Sequence, residues 1–238
     1  MKIPQILKTI GLFILGAILG GILFLPKEAV WLKALDTAAL SLAPHAMAWS
    51  SIEDAGLTGF TLTEFSLKTQ QGTFNLSIPK LKVSLGLSPL AEITATTGPV
   101  LKVQAYRDRS VTLSGGFDLA ALGRKEMSGA VTAKGDMNFK AWGGPPMSGQ
   151  LSVSADTLAL PGGLVAEKVK AAADLADTRL TITNFEAEKP VPIKGQGTVD
   201  MVWTNPRASS YSLTGTMTLG SKEQAFQKSG TLEQVPGM

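Results

Sequence analysis

The residues of this chain that could do chemistry are few and scattered. There is one histidine, His45, standing beside Pro44, and there is no cysteine. A zinc site gathers about three or four His, Cys, Asp or Glu ligands, and a general base needs an orienting partner. His45 has neither in the sequence around it. Its position after a helical pattern reads as a helix-end residue, where a charged imidazole is favoured by the C-terminal dipole. The closest carboxylates, Glu53-Asp54 and Glu186/Glu188, are expected near strand ends in water, with nothing to shift them toward acid–base work. Gly195-Gln196-Gly197 and Gly115-Gly116 imitate phosphate loops. Neither heads a long predicted helix and no Gly-x-x-x-x-Gly-Lys-[Ser/Thr] occurs, so they are expected as turn glycines. Ser114 lacks the flanks of a nucleophile elbow, and His45 has no route to a triad with it. The expectation is a chain with no catalytic residue, no metal ligands and no cofactor site.

Charge and composition narrow the class further. Twenty-two basic and nineteen acidic residues give +3, and setting aside Lys2 and Lys8 near the N-terminus leaves an almost neutral body. Such a body has no field to steer nucleic acid toward it. The lack of cysteine excludes disulfides and suits an exported bacterial domain that folds without staples. With 25 glycines among abundant Thr, Ser, Ala and Leu, the chain is too apolar for disorder and too interrupted for a helical bundle. Many short strands with tight turns are expected.

One segment differs from all the rest. Ile10–Leu25 is an apolar run with Lys2 and Lys8 before it and Pro26 after it. A spanning helix needs on the order of 20 apolar residues at about 1.5 Å each, a length reached when the count starts at Ile3. The leading lysines place the N-terminus in the cytoplasm and the body in the periplasm. A cleaved signal would need small residues just behind the run. Phe24-Leu25-Pro26-Lys27-Glu28 offers none, and Ala46-Met47-Ala48 comes too late. Residues 1–26 are therefore expected to be an uncleaved single-pass anchor in the inner membrane. Gly16 and Gly20 have the spacing of a close helix pair, which a glycine-rich span also produces by chance.

The elements follow from periodicity. Trp31, Leu35, Ala38 or Ala39 and Leu42 share one face of a helix over Glu28–Ala43, ended by Pro44. That helix, within a linker over 27–48, is expected to pack on the first strands with Trp31 near the lipid headgroups. Beyond Trp49 the period falls to two. Strands are expected at 58–67, 74–78, 81–87, 100–105, 111–113, 129–133, 137–140, 150–155, 167–173, 179–185, 197–203 and 211–219. The phase slips by one between Leu62 and Phe65 and again around Pro79, which a bulge or an edge accommodates. Arg107-Asp108-Arg109-Ser110 reads as a hairpin tip, Ser114 to Gly123 as a glycine-rich corner, and Gly143-Gly144-Pro145-Pro146 as a loop between two halves. The β domain is expected over 49–220 and a flexible polar tail over 221–238.

The fold class is thus mainly β: a membrane helix followed by a curved antiparallel sheet or a barrel-like domain, apolar on one face and Thr/Ser/Lys-rich on the other. Alternating strands ordinarily pack their apolar side on protein, so a covered core is the expected arrangement. Should the sheet stay open, Leu81, Val83, Leu85, Leu101, Val103, Leu151 and Val153 would line an apolar groove. Val131, Ala133, Val153 and Ala155 are small for strand positions that grip acyl chains.

The chain also carries a family pattern. A span ending Phe24-Leu25-Pro26 leads to a brief helix and then to Gly59-Phe60-Thr61-Leu62, Leu81-Lys82-Val83 and Leu87-Ser88-Pro89-Leu90. There follow Ser114-Gly115-Gly116-Phe117-Asp118-Leu119, Leu180-Thr181-Ile182-Thr183-Asn184, Gly195-Gln196-Gly197-Thr198-Val199 and Asn205-Pro206-Arg207-Ala208-Ser209. This order resembles the N protein family of the type II (general) secretion pathway, itself similar in style to AsmA-like periplasmic proteins. The resemblance implies a non-enzymatic accessory component of the secretion machinery, held in the inner membrane. Its partners would be other secretion proteins that dock on exposed strand edges or on the Thr/Ser face. The rival reading is an AsmA-like or lipopolysaccharide-transport-like module whose apolar face cradles lipid. Neither involves nucleic acid or a cofactor.

Overall fold

The computed structural model describes residues 26–41, 43, 45–68, 75–123, 126–142, 144–160 and 162–234. The expected span over Ile10–Leu25 lies outside them. Among the described residues no helix is long and apolar enough to cross a membrane.

Helix α1 runs over Lys27–Ser41. Its half-buried positions, Lys27, Trp31, Leu35 and Ala39, recur every four residues, so a single narrow stripe meets the sheet. Trp31 and Leu35 pack on a buried cluster of Phe60, Leu62, Phe65, Ile78 and Ala95. The Trp31 ring lies 4.7 Å from that of Phe60, and its Nε1 donates to the Gly56 carbonyl at 2.8 Å. The helix thus packs on the first strands as expected, and the sheet holds the indole at both its apolar body and its polar tip. Trp31→Ala is expected to cost about 2–3 kcal/mol, less than a fully buried tryptophan because the ring is half exposed. Amide exchange should then accelerate across 27–41 while the later strands keep their protection.

The strands are β1 (Ala46–Ala48), β2 (Ser51–Glu53), β3 (Gly59–Lys68), β4 (Asn75–Leu85), β5 (Ala91–Thr96), β6 (Val100–Ala105) and β7 (Ser110–Asp118). They continue as β8 (Ala130–Phe139), β9 (Pro146–Leu160), β10 (Leu164–Ala176), β11 (Arg179–Ala187), β12 (Ile193–Asp200), β13 (Ser210–Leu219) and β14 (Lys222–Thr231). From β3 onward each strand pairs antiparallel with the next, and β1 and β2 both pair with β3. The path has two ends, β1/β2 and β14, so the single large sheet is open rather than closed.

Several local expectations are corrected. The runs 74–78 and 81–87 merge into β4, which passes through Pro79. There the register steps from Thr63↔Lys80 to Phe65↔Ile78, with Glu64 at φ +49°. Both strands slip together, and Leu62, Phe65 and Ile78 all reach the same buried cluster. Likewise 129–133 and 137–140 are one strand, β8. The loop expected between two halves, of which Gly144, Pro145 and Pro146 are described, lies at the β8–β9 hairpin, across which the sheet continues. Gly115-Gly116 and Gly195-Gln196-Gly197 are not turns but lie inside β7 and β12. Within the corner expected over Ser114 to Gly123, Leu119–Leu122 form a short 3-10 turn, capped by Asp118 accepting from Ala120 N at 2.9 Å. Most of the expected tail over 221–238 is β14, paired with β13 along its whole length.

Buried apolar residues form two clusters, with Val199 and Tyr211 buried apart from both. One is the Phe60/Leu62 cluster beneath α1, and the other joins Ala155, Leu158 and Ala166 in β9 and β10. Between them the apolar face has no covering layer among the described residues, contrary to the expectation of an ordinary core. Leu62 is 1% exposed, whereas Leu85 and Ile93 on the same face are 45% and 39% exposed.

Candidate functional site

The chemistry-bearing residues stay apart. His45 is exposed just before β1. Lys80 pairs with Glu53 at 4.0 Å, Lys170 with Glu186 at 3.6 Å and Lys168 with Glu188 at 2.8 Å, all on the solvated surface. Among the described residues no group of three or more His, Cys, Asp or Glu is placed to hold a metal ion.

The polar face carries one organised network. Gln104 Nε2 donates to Glu92 at 2.7 Å, Lys102 Nζ lies 3.3 Å from the same carboxylate, and the Tyr106 hydroxyl donates to Gln104 Oε1. The Gln104 amide holds the Glu92 carboxyl below the ordinary glutamate value. Partial burial opposes that shift, and Lys102 adds to it. A depressed carboxyl stabilises the fold fully above its unfolded pKa and loses that contribution as pH falls through the lower folded value. Glu92→Gln is therefore expected to lower stability at neutral pH, where the wild-type carboxylate contributes, and to match the wild type at the acid end, where that contribution is already lost, giving a shallower acid limb read by thermal unfolding across the acid-to-neutral range.

The apolar face is the feature with functional content. Side chains in register share a face. Starting from Leu62, the partners read Leu81, Ala95, Leu101, Gly115, Ala133, Val153, Ala171, Phe185, Gly195, Gly215 and Phe226. No polar side chain interrupts this row across twelve strands. The adjacent row starts at Phe60 and Val83 and ends at Leu213 and Lys228. The next starts at Leu85 and ends at Tyr211 and Gly230. Across these three rows Lys228 is the sole charged side chain. The opposite face carries Ser84, Glu92, Gln104, Thr112, Asp136, Gln150 and Asp174 in one row.

All seven residues expected to line a groove fall on this face, and none is fully buried. The structure divides them. Leu81, Val83 and Leu101 pack against the Phe60/Leu62 cluster. Leu151 and Val153 instead line an open hollow of about 210 Å³ with Ala171, Ala173, Ile182, Phe185 and Leu213. Leu85 and Val103 belong to neither group. The hollow is smaller than the ~300–1,000 Å³ of enclosed small-molecule pockets, so it suits a segment of hydrocarbon chain rather than a whole ligand.

Glycines shape the far side of that hollow: Gly215 lies in its strand as expected, whereas Gly195, expected in a turn, lies inside β12. Gly195 and Gly215 sit side by side between Phe185 and Phe226, whose ring centroids are 6.4 Å apart. A Cβ on Gly195 would lie 2.6 Å from Phe185 Cε1, and one on Gly215 would lie 2.9 Å from Phe226 Cε1. The missing side chains are thus the space into which both rings lean. A usable signal was present: Gly195, Gly197 and Gly215 occupy the apolar phase of otherwise alternating strands.

Compared with known proteins, the chain matches no family model, no curated protein and no solved structure at a significant level.

Proposed function

We propose that this chain is a non-enzymatic module, tethered to the inner membrane by its leading apolar segment, whose open sheet face receives lipid acyl chains on the periplasmic side. The observation that carries this reading is the uninterrupted apolar row from Leu62 to Phe226, left half-exposed along most of its length. Exposed apolar surface on this scale is unusual for a soluble monomer and marks a binding surface. The resemblance to AsmA-like proteins points the same way. The small residues Ala133, Val153 and Ala171 make the middle of the face smooth rather than gripping, which fits a chain that must slide or exchange.

A second reading follows from the resemblance to the secretion N protein family: the module docks other components of the type II machinery through a strand edge. Its support is β14, a ten-residue edge strand with no neighbour on its outer side among the described residues. One experiment separates the two. A photoreactive side chain at Val153, activated in cells, yields a lipid adduct under the first reading. A protein adduct there, together with protein adducts along β14, would replace it with the second.

A further inference from the structure

The two rims of the sheet, where successive strands turn, differ in which one the chain enters. The start of β3, the end of β4, the start of β5 and the end of β6 share one rim. Helix α1 begins at that rim. The Trp31 indole, in its first turns, donates to the Gly56 carbonyl just before β3, and its ring lies on Phe60. Residues 1–25, with the apolar run Ile10–Leu25, therefore join the described structure here, at Pro26. Two leucines beside this entry are strongly exposed: Leu57 before β3 at 56% and Leu87 between β4 and β5 at 80%. Their loops are tied down. Gly56 N donates to the Gly59 carbonyl at 2.7 Å, Gly86 N to the Leu90 carbonyl at 3.0 Å and Leu90 N to the Ala105 carbonyl at 2.8 Å. The Leu85 amide donates to the Thr58 carbonyl, which joins the two loops to each other. Both leucines are thus held out by bonded backbone.

From this juxtaposition of two presented leucines and the point of chain entry we infer that this rim is seated on the bilayer surface, with Leu57 and Leu87 in the headgroup region of the membrane that holds the leading segment. The inference rests on the tether of the proposed function and not on what the apolar face holds. It assigns a separate membrane contact and an orientation for the sheet. The opposite rim also exposes apolar side chains, Leu164 at 52% and Leu219 at 50%, so exposure alone does not choose between the rims. The entry of the chain does. A tether makes the second contact intramolecular, so a patch too small to hold a free protein suffices. Twist keeps the contact short: each strand is rotated roughly 20–25° from the last, so tips from β8 onward turn away from a flat bilayer. Seating also bears on the apolar face. Leu85, two residues before Leu87, heads its rim-side row, so that row begins at the membrane.

The chain has no cysteine, so a single one can report on each rim. Leu57→Cys, Leu87→Cys and, on the opposite rim, Leu164→Cys are made in the full chain and labelled with a nitrobenzoxadiazole dye. Each is reconstituted into phosphatidylethanolamine–phosphatidylglycerol vesicles carrying an acyl-chain spin label as quencher. All three side chains are exposed, so the variants should melt as the wild type does, checked by circular dichroism. Dyes at 57 and 87 are expected about 5–10 Å into the headgroup–acyl boundary and quenched at least about twofold more than the dye at 164. Adding Leu87→Asp to the Leu57→Cys variant should weaken quenching at 57 while the chain stays with the vesicles. Equal quenching at 57, 87 and 164, weak or strong, would overturn the seating and leave the lipid reading of the apolar face standing. A chain that does not float with the vesicles would overturn the tether, and the seating with it.

Discussion

Leu151→Asp combined with Val153→Asp is expected to strip bound lipid from the chain while leaving it folded. In a closed core two carboxylates at neighbouring strand positions would each be stranded without water, at a cost of several kcal/mol. Here both side chains are half-exposed and border an open hollow, so the new carboxylates remain hydrated. The expected loss of stability is about 1–2 kcal/mol, or roughly 2–8 °C in melting temperature for a chain of this size. Lipid recovered per mole of protein should fall at least about tenfold, because a charge in the path removes more than the ~1.4 kcal/mol that a decade requires. Leu62→Asp is the contrasting variant. Leu62 is 1% exposed beneath α1, and a carboxylate there should prevent folding. Quantitative lipid extraction and thermal circular dichroism on the same preparations read both effects.

Gly215→Val carries the second large effect, for a different reason. Its Cβ would stand 2.2 Å from the Lys194 carbonyl oxygen, and 2.9 Å from both Gly195 Cα and Phe226 Cε1. The first two contacts are backbone and cannot rotate away. The third would push the Phe226 ring off Phe185 and detach β14 from the apolar face. Valine is otherwise a favoured strand residue, so a simple propensity argument would predict stabilisation. The close approach predicts a loss of about 3 kcal/mol, the upper end for overpacking. Ser212→Val, on the polar face of the same strand, should stay within about 0.5 kcal/mol. Denaturant unfolding of the two variants side by side measures the difference.

Much of the fold was legible because a period of two determines which face a side chain takes. The segment Val100–Ala105 was read to the residue, and the helical face of Trp31, Leu35 and Ala39 appeared where expected. The losses have particular causes. The phase slips at Leu62–Phe65 and around Pro79 are legible, but not that they lie opposite each other, so that pairing resumes and Pro79 falls inside one strand. Ala91–Thr96 was overlooked because its apolar phase is Ala, Ile, Ala, a weak signal beside the Ser88-Pro89 turn. Gly115, Gly195 and Gly197 read as turns in the sequence because glycine is usually a breaker, whereas here it makes room for neighbouring backbone and rings. β14 was hidden because a strand with Lys222, Gln224 and Lys228 on one face and Glu223, Gln227 and Ser229 on the other has no amphipathic alternation.

Closure was not legible at all, for a physical reason. Inward alternation reads the same whether an apolar face meets another wall of its own sheet or meets nothing. For the candidate site, the sequence supplied the face but not its division. Leu81, Val83 and Leu101 lean on the helix-covered cluster, and only Leu151 and Val153 reach the hollow. Lys222 and Lys228, the exposed cations of β14 on this face, lie in the segment expected as a tail.

What the apolar face holds can be measured directly. The full chain is released from native membranes in mild detergent and analysed by native mass spectrometry, with collisional release and identification of whatever stays bound. The account predicts a phospholipid adduct on the wild-type chain that is missing from the Leu151→Asp, Val153→Asp variant. A wild-type chain that emerges bare, or carries only secretion proteins with its apolar face empty of lipid, would contradict it.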